Sequence, residues 1–216
     1  MSTIASQSLD VPVESSSGNG APHPVSSMID ATETLYRFTA EEYEQIAEIL
    51  DDDRVELIDG YLVKKMTKLP PHALACARVL AAITRLMPAG WHARPGEPVR
   101  LGQRSEPEPD VSLARGAPDD YSGAHPGPSD IGLLMEVADT TLPKDRRRTQ
   151  TYGPAGIPVY WIVNLVDRQI EAYSDPRPDG YATCVICRSG QHVPVVLYGT
   201  IVGQIAVDDI LPCRQT

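Results

Sequence analysis

Two carboxylates stand where the chain is otherwise apolar. Asp110 follows Pro109 and opens the run Val111-Ser112-Leu113. Glu136 closes Ile131-Gly132-Leu133-Leu134-Met135 and is followed by Val137. An ionised carboxylate in such surroundings is unfavourable unless a positive group meets it. A divalent cation with hard oxygen ligands meets that need, and Mg2+ or Mn2+ suits carboxylates. Such an ion would hold a phosphate, activate water and stabilise the charge that develops on hydrolysis. Acids at strand ends also serve simply as solvated or capping groups, so the pattern alone leaves both readings open.

The elements around these two acids follow from periodicity. Thr39 and Glu42 make a capping box, and Tyr43, Ile46 and Leu50 share one helical face. Arg54-Val55-Glu56-Leu57-Ile58 alternates as a strand, Asp59-Gly60 is a tight-turn pair, and Tyr61-Leu62-Val63 returns. A long helix is expected over about 72–87, with Cys76, Leu80, Ile83 and Met87 on one face. Short strands are expected at 91–94 and 99–101, then a polar turn over 102–109 that leads into the Asp110 strand. Residues 115–130 read as a loop, and the Glu136 strand follows. A helix fits 145–152, stopped by Gly153-Pro154, with Asp145 a candidate N-cap. Strands are expected at 159–164, 169–173, 181–187, 193–197 and 201–207. The fold class is therefore α/β (α+β), with one central sheet. Asp110 and Glu136 would come from neighbouring strands, and Glu56 would join them from the hairpin.

Composition narrows the function. The chain has 216 residues, 42% of them hydrophobic, and a formal net charge of −10. Residues 1–33 carry Asp10, Glu14, Asp30 and Glu33 without a Lys or Arg, and are rich in Ser, Pro and Gly. They read as a disordered tail before a folded domain over 34–213. The acidic balance argues against a general nucleic-acid coating protein. It leaves room for a local basic channel, for which Lys64, Lys65 and Lys68 form one cluster and Lys144, Arg146, Arg147 and Arg148 another. There is no apolar run long enough for a membrane span and no basic-then-apolar leader, so no membrane association and a cytoplasmic location are expected. Cys184 and Cys187 are spaced like a redox or zinc pair. In a strand, however, residues three apart face opposite sides, and no second pair accompanies them. His23, His92, His125 and His192 fit no ligand spacing.

Four short stretches stand in a recognisable order: Val55-Glu56-Leu57-Ile58-Asp59-Gly60, Pro109-Asp110-Val111, Glu136-Val137-Ala138-Asp139, and Tyr152-Gly153-Pro154-Ala155-Gly156-Ile157-Pro158 running into Val159-Tyr160-Trp161-Ile162-Val163. Together, over about 36–211, the chain resembles the Uma family of putative restriction endonucleases, within the PD-(D/E)XK nuclease superfamily. The resemblance implies a restriction-endonuclease-like core, a mixed sheet flanked by helices. It also implies an endonuclease that uses Mg2+ or Mn2+ to hydrolyse DNA. The family pattern maps its acids onto Glu56, Asp110 and Glu136. The Val137 carbonyl is a further candidate metal ligand, and a histidine after a proline corresponds to His72, which has an equally plain role at a helix start. The superfamily lysine, two residues after the second acid, is here Ala138. The family instead places a lysine in the next helix between an aspartate and a tyrosine. Asp145 and Tyr152 match those ends with one residue fewer between them. Anchoring on Tyr152 selects Arg148, anchoring on Asp145 selects Thr149, and the Tyr152 anchor is preferred. Lys144 is a substitute. Arg holds phosphate well but does not exchange protons. Two other readings remain beside the enzyme: a weakened nuclease fold that binds nucleic acid or a protein, and a non-nuclease metal-binding fold. A homodimer is the expected assembly.

Overall fold

The computed structural model describes residues 35–47, 49–50 and 55–213. The expected tail over 1–33, the run Asp51 to Asp53 and Arg54 lie outside the described residues. Helix α1 (Ala40–Ala47) begins at a reciprocal cap. The Glu42 amide donates to Thr39 Oγ1 at 3.2 Å, and the Thr39 amide donates to Glu42 Oε2 at 2.8 Å. Both are donors that a helix start otherwise leaves unpaired. Strands β1 (Val55–Ile58) and β2 (Tyr61–Lys64) form the hairpin, with Asp59 at φ 49° and Gly60 at φ 81°, the left-handed pair a two-residue turn requires.

Helix α2 (Pro70–Thr84) starts two residues before its expected position. Proline suits a first helical turn because the missing N–H is one that has no partner there. Next come β3 (Trp91–Arg94) and β4 (Val111–Arg115). The strand expected over 99–101 does not form. The Val99 and Leu101 amides donate instead to the Pro107 and Ser105 carbonyls, closing a local loop. Pro95 and Pro98 supply no amide to a sheet ladder. The loop that follows β4 contains one 3-10 turn, Pro118–Tyr121.

Strand β5 (Ile131–Ala138) leads to α3 (Leu142–Arg147) and α4 (Thr149–Tyr152). Asp145 therefore sits inside α3, and Thr141 takes the N-cap place expected for it. The chain continues through β6 (Val159–Asn164), β7 (Gln169–Arg177), β8 (Gly180–Arg188), β9 (His192–Leu197), β10 (Thr200–Ala206) and α5 (Val207–Ile210).

Six strands form the central sheet in the order β3-β4-β5-β6-β7-β8. Its pairs are antiparallel except β5–β6. That parallel pair needs a crossover, which α3 and α4 supply. This is the central mixed sheet expected, and β1–β2 and β9–β10 stand beside it as separate two-stranded hairpins. Helix α2, the β9–β10 hairpin and α5 cover one face of the sheet through Val79, Ile83, Leu133, Met135, Trp161 and Val195. Leu134, Ile162, Tyr152 and Tyr160 form the core on the opposite face, beside α3 and α4. Every residue of β5 is buried, as expected of a strand covered on both faces. Each large aliphatic side chain removed from water contributes roughly 1.5–3 kcal/mol. Glu136 is carried into this environment by its neighbours.

Cys187 is buried and Cys184 exposed, in keeping with opposite faces, and the four cysteines are free. Among the described residues no helix is long and apolar enough to cross a membrane.

Candidate metal centre

The start of β4 and the end of β5 lie side by side because the strands are antiparallel, with Val111 opposite Met135. Asp110 therefore approaches the β5 backbone one step beyond Glu136. The Val137 amide donates to Asp110 Oδ2 at 2.9 Å. A strand residue presents its N–H and C=O to the same flank. Val137 thus directs its carbonyl toward Asp110, whereas the Ala138 carbonyl turns the other way and accepts from Leu165. Glu56 enters from β1, where its Oε2 accepts the Glu108 amide at 3.4 Å. All three acids are nearly buried, with 2% of Glu56 and 7% of Asp110 and Glu136 exposed. They line one cavity of 390 Å3, together with Val137, His72, Lys144 and Arg148.

The basic residues reach it from two directions. Helix α3 carries Lys144, whose Nζ is 3.0 Å from Glu56 Oε1. Arg148, between α3 and α4, pairs its Nη2 with the same oxygen. Its Nε is 3.5 Å from Glu136 Oε1, close enough for charge attraction but not aligned for a hydrogen bond. Tyr152 completes this wall: its hydroxyl donates to Glu136 Oε1 at 2.9 Å. Thr149 instead turns its hydroxyl to the Arg146 carbonyl and is not among the cavity residues. Ala138, in the superfamily lysine place, is fully buried. Across the cavity, His72 Nε2 lies 3.1 Å from Asp110 Oδ2 and its Nδ1 lies 3.5 Å from Cys76 Sγ.

Charge is unevenly shared among the acids. Burial pushes the Asp110 carboxyl up, but the hydrogen bond and charge of His72, the Lys68 ammonium and the Val137 amide outweigh it and hold the group below its ordinary range. Glu136 goes the other way. Burial raises it to about 8 against the pull of Arg148, and the charges of Asp110, Asp145 and Glu56 add to the rise. Asp145 is also raised, chiefly by burial, although Thr141 Oγ1 donates to it at 2.5 Å. A pocket that crowds this many carboxylates away from water has the chemistry to take a hard divalent cation, and all the candidate donors are oxygens. Asp110, Glu136 and the Val137 carbonyl fit that role. Among the described residues, two groups have ligand-type side-chain atoms all within 4.8 Å of one another: His72, Cys76 and Asp110; and Glu44, Glu106 and His125. In the first, the ring uses opposite nitrogens toward the thiol and the carboxylate, which makes a hydrogen-bonded chain. In the second, the Arg100 guanidinium already meets Glu106 at 2.5 Å and pairs with Glu44.

Two residues at the cavity were not singled out by the sequence. Lys68, read there only as part of a basic cluster, has its Nζ 3.0 Å from Asp110 Oδ1. Glu108 binds Lys65 Nζ through both oxygens at 2.8 Å. The alternation in Pro107-Glu108-Pro109-Asp110, two acids each after a proline, was the available signal for Glu108.

The model of the Uma2 family, described as putative restriction endonuclease, matches residues 40–201. No curated protein matches the chain. Among solved structures, a putative nuclease belonging to DUF820 from Anabaena variabilis ATCC 29413 shares the fold. Its TM-score is 0.63 at 14% identity, covering 80% of this chain and 97% of the other.

Proposed function

As a member of the Uma2 family of putative restriction endonucleases, the chain carries a nuclease-type fold, and we propose that it is a Mg2+- or Mn2+-dependent endonuclease that hydrolyses phosphodiester bonds in DNA. The observation that carries this reading is the meeting of Asp110, Glu136 and Glu56 in one 390 Å3 cavity. Asp110, Glu136 and the Val137 carbonyl would hold the ion, and Glu56 would assist it or the attacking water. The ion would supply the positive charge that draws in the phosphate and activates water.

The remaining roles belong to the chain itself. Val137 orients Asp110 through its amide. Tyr152 and Arg148 fix Glu136 from the helix side. Arg148 and Lys144 restrain Glu56 and present cations toward a phosphate. Arg148 stabilises charge without exchanging a proton. The reading takes 34–213 as the nuclease domain, a cytoplasmic location and a twofold homodimer, which would bring two such sites to two strands.

A second reading is a nuclease fold that binds nucleic acid or a protein partner without cutting. It is favoured by Ala138 and Arg148 standing in the two lysine places. The test is a cleavage assay on single- and double-stranded DNA and RNA with Mg2+ or Mn2+, run beside Glu136→Ala and paired with metal titration. Metal-dependent cleavage of DNA lost in Glu136→Ala is expected. Folded protein that binds neither ion and cuts no substrate would end the enzyme reading.

A further inference from the structure

The cavity has four Lys or Arg side chains on its walls, Lys65, Lys68, Lys144 and Arg148, and they are not equivalent. Arg148 is sealed in, with 6% of its side chain exposed, and is committed to Glu56. Lys144 is 28% exposed and held by the same carboxylate. Lys65 is 21% exposed and held by both oxygens of Glu108. Lys68 is 56% exposed, and its ion pair is with Asp110 rather than with an acid of its own wall. It stands on the segment between β2 and α2, of which residues 65–69 all line the cavity. A Cβ placed on Gly96 would lie 3.8 Å from Lys68 Nζ, so the ammonium rests beside the Gly96 backbone.

We propose that Lys68 is the catalytic lysine of this site, supplied from the β2–α2 segment in place of the one missing at 138 and 148, and that its ammonium grips the scissile phosphate. The argument rests on the metal-dependent reading above. Asp110 is the acid that both Lys68 and an incoming cation would contact. Two cations at one carboxylate repel, so loading the ion displaces the ammonium from Asp110. The flexible four-carbon stem and the exposed position let it swing to the nearest new anion, a phosphate drawn in by that ion. Lys68 thus marks the cation place before loading and serves the substrate after it. Arg148 and Lys144, tied to Glu56, remain behind as fixed wall charges.

The experiment compares Lys68→Ala and Lys68→Arg with the parent chain, after thermal melts establish that each is folded. Mn2+ titration without DNA is the first readout. Loss of the competing ammonium should tighten Mn2+ binding in Lys68→Ala by up to about 5-fold, on the order of one surface-exposed charge pair. DNA binding with Ca2+ as the loading cation is the second, and its salt slope should fall by about 1. Cleavage at saturating Mn2+ is the third. It should drop about 100-fold or more, as when one charge-stabilising donor is removed from a transition state, and Lys68→Arg should restore part of it. Cleavage by Lys68→Ala at the parent rate would overturn the proposal, even if Mn2+ bound more tightly. So would weaker Mn2+ binding together with a lowered Tm, which marks a structural residue. A parent chain that binds no ion refutes the metal reading itself. A parent that binds the ion without cutting leaves the first two readouts to decide, and unchanged affinity and slope would overturn the role of Lys68.

Discussion

Replacing Arg148 with alanine probes the charge balance of the cavity most directly. The side chain is 6% exposed and serves two carboxylates, pairing with Glu56 and lying 3.5 Å from Glu136. Breaking a buried pair from one side typically costs about 3–5 kcal/mol, because the abandoned charge stays out of water. Glu56 would keep Lys144 at 3.0 Å, so the lower end, about 3 kcal/mol, is expected in EDTA. For a chain of this length each kcal/mol moves Tm by about 2–4 °C, giving a fall of about 6–12 °C. Added Mg2+ should recover more Tm in Arg148→Ala than in the parent, since a cation bound only to the folded state stabilises it and here would meet abandoned acids. The double variant Arg148→Ala/Glu56→Gln should lose less than the two single changes summed, by about 1–2 kcal/mol, because the carboxylate that the guanidinium pairs with is gone. Differential scanning calorimetry with and without Mg2+ measures all of this. A Tm within about 2 °C of the parent in EDTA, or strictly additive single and double variants, would refute the charge argument.

Two predictions concern the frame around the site. Glu171, on β7, clamps α3 through Arg146 at 2.6 and 3.0 Å and also receives Asn164 and Tyr173. Burial raises its carboxyl, but the Arg146, Asn164 and Tyr173 hydrogen bonds outweigh it and bring it to about 2. A folded value below the unfolded one, about 4.3, gives stability that is full above that value and is lost as pH falls toward 2. Glu171→Gln should therefore be less stable at pH 6 by at most about 3 kcal/mol. The true figure should be lower because the Arg146 side chain is 47% exposed and solvent screens the pair. In urea titrations the gap should close between pH 4 and 2, and a constant gap would contradict the assignment. At Gly153, a Cβ would lie 1.9 Å from the Gly180 carbonyl oxygen. Gly153→Ala should push α4 from β8 and lower stability by about 1–3 kcal/mol or more. It should also reduce cleavage, since Tyr152 next to it holds Glu136; an unchanged Tm would show that the contact relaxes freely.

The residue types and their order were enough to place Asp110 before one strand, Glu136 near the end of another, and Glu56 in a hairpin closed by Asp59-Gly60. These are local facts: alternation, an apolar run, and a turn pair that accepts positive φ. The helix over 145–152 was legible too, but not its start, because Leu142-Pro143 carries no side-chain cap to mark it. The strand expected at 99–101 failed because its amides found nearer carbonyls, and the late strands split off as a β9–β10 hairpin because that hairpin covers the core face instead of extending the sheet. A sequence offset of one residue left Arg148 and Thr149 as rivals. Only packing against Glu56, Glu136 and Tyr152 separated them. Lys68 and Glu108 had no local signal of comparable strength, since their partners lie 42 and 43 residues along the chain in Asp110 and Lys65. The sequence by itself determined which acids the chain carries into its core and the family to which that pattern belongs. The tertiary structure decided which cations meet them, because charge pairing depends on distance in space, which periodicity along the chain does not encode.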